Sequence, residues 1–564
     1  MRSNLTVNLG LRYEMSTIPS ETQGKINQLE TLWQNPGTTC VADFNGLATC
    51  PGFYHQVFQR NPTLKNFEPR IGFAWDPFRT GKTSVRGGFG VFDVLPMSYM
   101  FALNSLQTAP NGAEIDLSKP GQGTYPSGFP ALALAGAGSG NSLRWGFNEQ
   151  FPKRNYVFQW NLNVQRQVTQ STSITLAYSG SRGIHNPWQT DDLNTVFPYR
   201  TSAGWLFPNP IGSGCLPAPP DCSATDVALG LPASFNNNPT GIVPGLLINP
   251  QTTAAQIQST IFQAKSWYNS MQVRVDKRMS HGFQMGGSFT WGKSLDTTSS
   301  SFAGDNYSNN ISPVVPWWDL TIVKGLSDFN VTRNLVINGL WQVPTPASLH
   351  GPAGWIARGW GLGGVFEASD GTPMWPLDGV DGDPMGQYNG APIAIPDYVS
   401  GCNLTNNSSG RHGDLQYINP NCFINAVAPS AAFFNAAPPF GCDPNPPIGP
   451  KGAPESLAAA GLPPLTCFNL LGNLGRNSII GPGLLNVDFS AVKDNHISAF
   501  GEAFNLQFRA EMFNLLNRAN FSAVPTGNLE PLDSTGTPVG KFGRLDAPLQ
   551  VPNREIQFAL KLIW

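Results

Sequence analysis

Few residues of this chain stand at spacings that could do chemistry. Gly359-Trp-Gly-Leu-Gly-Gly364 satisfies the GxGxxG pattern of a dinucleotide-binding turn, which requires a phosphate-facing helix directly after it. Val365-Phe-Glu-Ala-Ser369 instead continues as a strand, so glycines packed beside Trp360 explain the pattern. Gly81-Lys-Thr83 imitates the end of a phosphate-binding loop, but Asp76 stands where its first glycine belongs, and a hairpin turn fits better. His55, His185, His281, His350, His412 and His496 are scattered singly through loops and turns, with no HExxH pair and no serine in GxSxG. Asp378, Asp381 and Asp383 lie in a glycine-rich loop, yet their spacing misses the calcium-loop pattern and no bidentate glutamate follows. No constellation for catalysis is left, so the chain reads as a non-enzyme, and no cofactor or metal is expected.

The eight cysteines carry a different message. Cys40, Cys50, Cys215, Cys222, Cys402, Cys422, Cys442 and Cys467 all fall in Gly/Pro/Asn-rich segments outside the strands, grouped as neighbours within single loops. None forms a CxxC pair, which argues against zinc. Local disulfides 40/50, 215/222, 402/422 and 442/467 are the expected pairing, one of 105 arrangements that eight cysteines allow. Loop disulfides persist in an oxidising compartment, so export is expected. The N-terminal residues lack the charged, apolar and cleavage regions of a secretory signal, which suggests that this chain continues a longer one.

The elements that carry these loops must be strands. Only 12% of the 564 residues are charged, about half the usual share, while Gly at 60 and Pro at 50 favour many turns over helices. A net charge of −2 with no basic run excludes nucleic acid as a partner. No apolar stretch approaches the roughly 18 to 20 residues of a spanning helix. What recurs is alternation. Leu5, Val7, Leu9, Leu11 and Tyr13 alternate with polar or small residues, and Phe158, Trp160, Leu162 and Val164 alternate with Gln159, Asn161, Asn163 and Gln165. A soluble core rarely faces so many amides inward, whereas a watery lumen accepts them.

This rhythm predicts about twelve strands, at 5–13, 66–76, 83–93, 156–168, 171–181, 267–279, 283–293, 330–343, 358–369, 484–493, 504–516 and 555–564, with short turns alternating with long loops as in outer-membrane barrels. At the C-terminus, Phe558, Leu560, Leu562 and Trp564 share one face with Ile556, and form a candidate signal for barrel-assembly machinery. The fold class expected is all-β, a transmembrane antiparallel β-barrel with long disulfide-bearing extracellular loops. Counting from a periplasmic start, the C-terminus ends in the periplasm and every cysteine lies outside the cell. Arg12, Glu14, Arg274, Asp276, Arg509 and Glu511 are the candidate lumen-facing residues, with Arg509 and Glu511 placed to pair with neighbouring strands or a plug. Their bland alternative is solvation of a water-filled interior.

The stretches NLTVNLGLRYE at 4–14, NFEPRIGFAWDPF at 66–78, YNSMQVRVDKRMSHG at 268–282, SDFNVTRN at 327–334, GNLGRNSIIGPG at 472–483 and LQFRAEMFNLLNRANF at 506–521 resemble the C-terminal half of TonB-dependent outer-membrane receptors, and among them the Oar-like subgroup. The resemblance covers nearly every strand and leaves the loops unmatched. It implies a parent barrel of 22 strands, of which residues 1–564 are the C-terminal portion, with the plug and the N-terminal accessory domain absent. It further implies Gram-negative outer-membrane lipid around the barrel, an unidentified extracellular substrate, and the TonB energy-transducing complex acting through the missing plug. A surface-anchored adhesive barrel and a truncated, non-functional gene product are the alternatives.

Overall fold

The structure is a computed structural model that describes residues 3–20, 26, 28–30, 56–98, 101, 144–190, 193, 199–201, 204–210, 256–299, 319–345, 348–349, 351–377, 395–406, 415–424, 465–468, 473–497, 504–531, 538–546 and 548–563. Twelve long strands follow one another in chain order: β1 (Leu5–Tyr13), β2 (Phe67–Trp75), β3 (Thr83–Asp93), β4 (Tyr156–Gln167), β5 (Thr172–Thr190), β6 (Gln256–Ser280), β7 (Phe283–Asp296), β8 (Arg333–Gln342), β9 (Trp360–Ser369), β10 (Leu484–His496), β11 (Asn505–Phe513) and β12 (Glu555–Ile563). Each pairs with the next, so the sheet is one meander from β1 to β12. Two short strands, Gly325–Leu326 and Arg144–Asn148, join β7 and β6 respectively and bring the sheet to 14 strands. Among the described residues, no helix is long and apolar enough to cross a membrane.

Apart from shifts at Asn186 and at the Phe283 end of β7, the register keeps its phase across the eleven ladders. Leu9 opposes Ile71, Ile71 opposes Phe89, Phe89 opposes Trp160, and the same face runs on through Gly180, Asn269 and Lys293. At mid-strand it carries Leu162, Tyr178 and Met271, and it ends on Ala510 and Phe558. One face of the sheet is therefore largely apolar from edge to edge. Its side chains are bare: Leu9, Leu11, Phe558 and Leu560 are 77%, 71%, 68% and 72% exposed. A patch of that extent is not stable against water. It is aromatic at both rims, with Trp75, Phe283 and Trp341 at one end and Tyr13, Phe67, Trp267 and Trp291 at the other. Along β2 the rims stand about 26 Å apart at roughly 3.3 Å per residue, which matches the height of the apolar band on membrane barrels of about 25 Å.

Short connections gather at one end of the sheet. The β6–β7 turn is His281-Gly282, both with positive φ (52° and 75°), the geometry a two-residue hairpin needs to match strand twist. A side chain at Gly282 would meet the Gln342 carbonyl at 2.8 Å. The β8–β9 connection at this end holds the helix α1 (Gly351–Ala357). All six long connections emerge at the opposite end.

Two strands exceed their expected length. The sequence predicts 171–181 and 267–279, whereas β5 runs on to Thr190 and β6 begins at Gln256. Gly183 and Pro187 read as loop formers, but the ladder absorbs them through register shifts at Asn186, next to His185 at φ 56°. A bulge is where a strand tolerates proline. His185, placed by its sequence context in a loop, is thus a strand residue, as is His496 at the end of β10.

Candidate functional site

The polar face of the sheet opposes the apolar one. By register it carries Arg12, Arg70, Arg86, Gln159, Asn163, Gln165, Arg274, Asp276, Gln507, Arg509 and Glu511. Arg274 is held within its own strand by Asp276, at 2.8 Å from Nε to Oδ2, and Arg12 pairs likewise with Glu14. Arg509, placed by its sequence to pair with a neighbouring strand or a plug, reaches the next strand through an amide: its Nε donates to Gln507 Oε1 at 2.5 Å, and Gln507 donates to Asp494 Oδ1 at 2.9 Å. An amide stands between the two charges because Gln507 and Asp494 are register partners, while Arg509 faces Val492.

Clefts open on this face, one of them of about 390 Å³ beside Asn8, Arg70, Gln159 and Asn161, and two more stand further along the sheet. One, of about 530 Å³, is lined by Gln165, Ser173, Arg274, Asp276, Arg278 and Asn338. A second, of about 300 Å³, shares Gln165, Ser173, Asp276 and Arg278 and adds Lys82. Both lie toward the short-turn end. They combine hydrogen-bonding amides and hydroxyls with fixed charges, which suits a polar solute and offers no nucleophile held by a base.

The buried core lies in the loops rather than in the sheet. Leu29, Trp145, Leu193, Leu320, Trp375 and Leu529, one from each of the six long connections, belong to one hydrophobic cluster with Trp188, Ile257 and Ile261 on the extensions of β5 and β6. The described parts of the six loops therefore share one core and form a layer. The extensions give them a scaffold that reaches beyond the rest of the sheet.

A charged knot ties that layer together. Arg476, 3% exposed, bridges Asp296 Oδ1 at 2.6 Å and Asp328 Oδ1 at 2.9 Å, and donates to Ser299 Oγ at 2.8 Å. Asn477, at φ 56°, adds Nδ2 bonds to Asp328 Oδ1 and the Leu326 carbonyl. A side chain at Gly325 would meet the Arg476 carbonyl at 2.5 Å, so this close approach needs a glycine. Two of the stretches that carry the family resemblance, 327–334 and 472–483, meet here. Sequence reasoning used them as signatures and assigned Arg476 and Asp328 no part; a charge inside a Gly/Asn-rich stretch was the available signal.

Cys402 and Cys422 form a disulfide with Cα atoms 5.5 Å apart, inside this layer. Cys40, Cys50, Cys215, Cys222, Cys442, Trp564 and the three aspartates of 378–383 lie outside the described residues, as does the side chain of Cys467. Closing a loop across 20 residues is worth about 3 kcal/mol in the chain-entropy model. Cys402→Ser is expected to raise proteolysis of segment 395–424 while leaving the strands protected, as read by peptide mapping. Equal cleavage in both proteins would contradict it.

Glu149 gives the layer a pH response. Burial pushes its carboxyl up, against the backbone bond it accepts from Phe262 N at 2.8 Å. A raised folded-state pKa means that its stabilisation is complete below the ordinary carboxylate value and is lost as pH rises through the folded one. Amide protection of 256–262 should therefore fall between acidic and neutral pH, and Glu149→Gln should flatten that dependence; a slope unchanged by the substitution would assign it elsewhere.

Residues 1–557 match the outer membrane beta barrel domain family. The chain belongs to that family. In an outer membrane barrel the bare apolar face meets lipid and the polar face lines the interior, which accounts for a sheet whose hydrophobic side chains are exposed. No curated protein matches the chain. Solved structures similar to it include the outer membrane transporter YddB from Escherichia coli (TM-score 0.34, 9% identity, 88% of this chain and 40% of that one). The ferric preacinetobactin receptor BauA from Acinetobacter baumannii is similar at TM-score 0.33 and 10% identity, over 88% of this chain and 36% of that one. The siderophore receptor PiuA from the same organism is similar at 0.34 and 8%, over 88% and 35%. This outer membrane barrel thus spans about two fifths of the length of the first of these.

Proposed function

We propose that the chain is the barrel portion of a TonB-dependent receptor of the Oar-like kind, which takes up a polar solute across the outer membrane. The observation that carries this reading is the largely polar face opposite the apolar one, which holds clefts lined by charges and amides at the short-turn end. The motifs at 327–334 and 472–483 support the TonB-dependent kind through the resemblance. Short turns belong to the periplasmic side of such barrels, so the loop layer faces outward, where it selects the solute, and β12 ends in the periplasm. Barrel-assembly machinery reads the Phe558, Leu560 and Leu562 face of β12, and TonB acts through a plug supplied outside residues 1–564. Arg12, Glu14, Arg274, Asp276, Arg509 and Glu511 solvate the path.

A second reading has its own observation. A loop layer with its own hydrophobic core and a disulfide is built as a rigid surface, which also suits an anchored adhesive protein. The test is site-directed crosslinking to TonB in the source cells, together with the intact mass of the outer-membrane species that contains β12. A TonB adduct on a species well above 60.8 kDa supports uptake. A 60.8 kDa species that never crosslinks to TonB would leave the anchoring reading.

A further inference from the structure

The β8–β9 connection, residues 343–359, is the longest at the short-turn end, and its extra length builds α1. The helix is clamped to the apolar face. Trp360 and Lys493 are register partners on that face. Lys493 Nζ donates to the Trp355 carbonyl at 2.7 Å, to the Arg358 carbonyl at 3.1 Å and to Asn495 Oδ1 at 2.6 Å. A cation that fills the last carbonyls of a helix opposes the negative end of its dipole. Trp360 Nε1 donates to the Ile356 carbonyl at 2.8 Å, and Gly359, at φ 77°, lets the chain pass so close to Asp494 that a side chain would meet its carbonyl.

What this clamp holds outward is apolar. Trp355 and Ile356 are 55% and 61% exposed, and they adjoin a rim that already contains Trp341 at 42%. Lys493 lies 5.3 Å from the Trp355 ring and 5.7 Å from the Trp360 ring, so its charge is shielded by aromatics and carbonyls. A buried-face helix would turn these residues into the protein, and a periplasmic turn would show polar ones.

We infer that α1 is an interfacial foot: Trp355 and Ile356 insert at the glycerol and upper acyl level of the leaflet on the short-turn side, and set the depth of the barrel. The occupant is phospholipid, because the exposed pair continues the lipid-facing band and the exposed cation beside it, Arg358, whose Nη2 donates to the Leu349 carbonyl at 2.7 Å, stands where headgroups lie. The inference rests on the membrane reading of the apolar face and goes beyond it.

The test uses the full chain in vesicles of phosphatidylethanolamine and phosphatidylglycerol, with Ile356→p-benzoyl-phenylalanine, Trp355→p-benzoyl-phenylalanine and, as a mid-band reference, Leu162→p-benzoyl-phenylalanine. After irradiation, the expected result is a mass increase of one phospholipid at all three positions. Lipid at 162 without lipid at 355 or 356 overturns the foot and leaves the membrane band standing. Lipid at none of the three overturns both.

Discussion

Replacing Arg476 by alanine is expected to open the loop layer while the strands stay paired. Its guanidinium is the shared partner of Asp296 and Asp328, which are 4% and 6% exposed. Removing it leaves two carboxylates buried with too few donors, a change that costs about 3–5 kcal/mol. Amide exchange in 319–330 and 473–480 should then accelerate by roughly two to four decades, at about 1.4 kcal/mol per decade. Protection at the centres of β4 and β5 should hold, because the knot touches only the loop end. Arg476→Lys should recover part of the loss, since an ammonium lacks the planar fork that reaches both carboxylates. Adding Asp328→Asn to the alanine variant should recover part of it by another route, through removal of a buried charge. Unchanged exchange in both segments would show that the knot does not hold the layer.

Leu162→Arg is expected to impair insertion, and Asn161→Arg to be tolerated. The two residues are adjacent at the middle of β4 and face opposite sides of the sheet, Leu162 beside Gly87 and Tyr178 and Asn161 beside Gly88 and Ser179. Leu162 is 46% exposed on the apolar face. An arginine near the bilayer midplane costs about 2–4 kcal/mol, whereas one on the polar face meets water and should stay within roughly 0.5 kcal/mol. Urea titration of folding into lipid vesicles separates them. Equal midpoints, or the reverse order, would mean that the apolar band does not face lipid.

The loop layer bears most directly on function. A rigid layer with its own core presents a fixed surface, and both the uptake and the anchoring readings place recognition there, outside the cell. The two clefts that share Asp276 lie at the far end of the strands, which suits passage more than first capture. Arg274 is already neutralised by Asp276, so on the uptake reading a solute would meet a balanced wall rather than a single-sign field.

The strands were legible because their signal is local. Alternation with a period of two needs no knowledge of the partner strand, and it places the twelve long strands and the shared face of Arg274 and Asp276, though not α1, which stands where a short turn is expected between β8 and β9. The 402/422 pairing was legible for the same reason, being closed within one loop. The extensions of β5 and β6 were not: Gly183 and Pro187 carry a local signal for a loop, and only the neighbouring strand supplies the bulge that accommodates them. Nor was the route from Arg509 to its neighbouring strand, since the link through Gln507 depends on Asp494 standing across the ladder. The loop layer was the least legible. Arg476 meets Asp328 across 148 residues and Asp296 across 180, and charge complementarity at such separations leaves no periodic mark on the chain. Sequence alone determined that this is a sheet with one oily and one wet face; tertiary structure decided that its loops share a core, because that core exists only where six distant segments are brought to the same end.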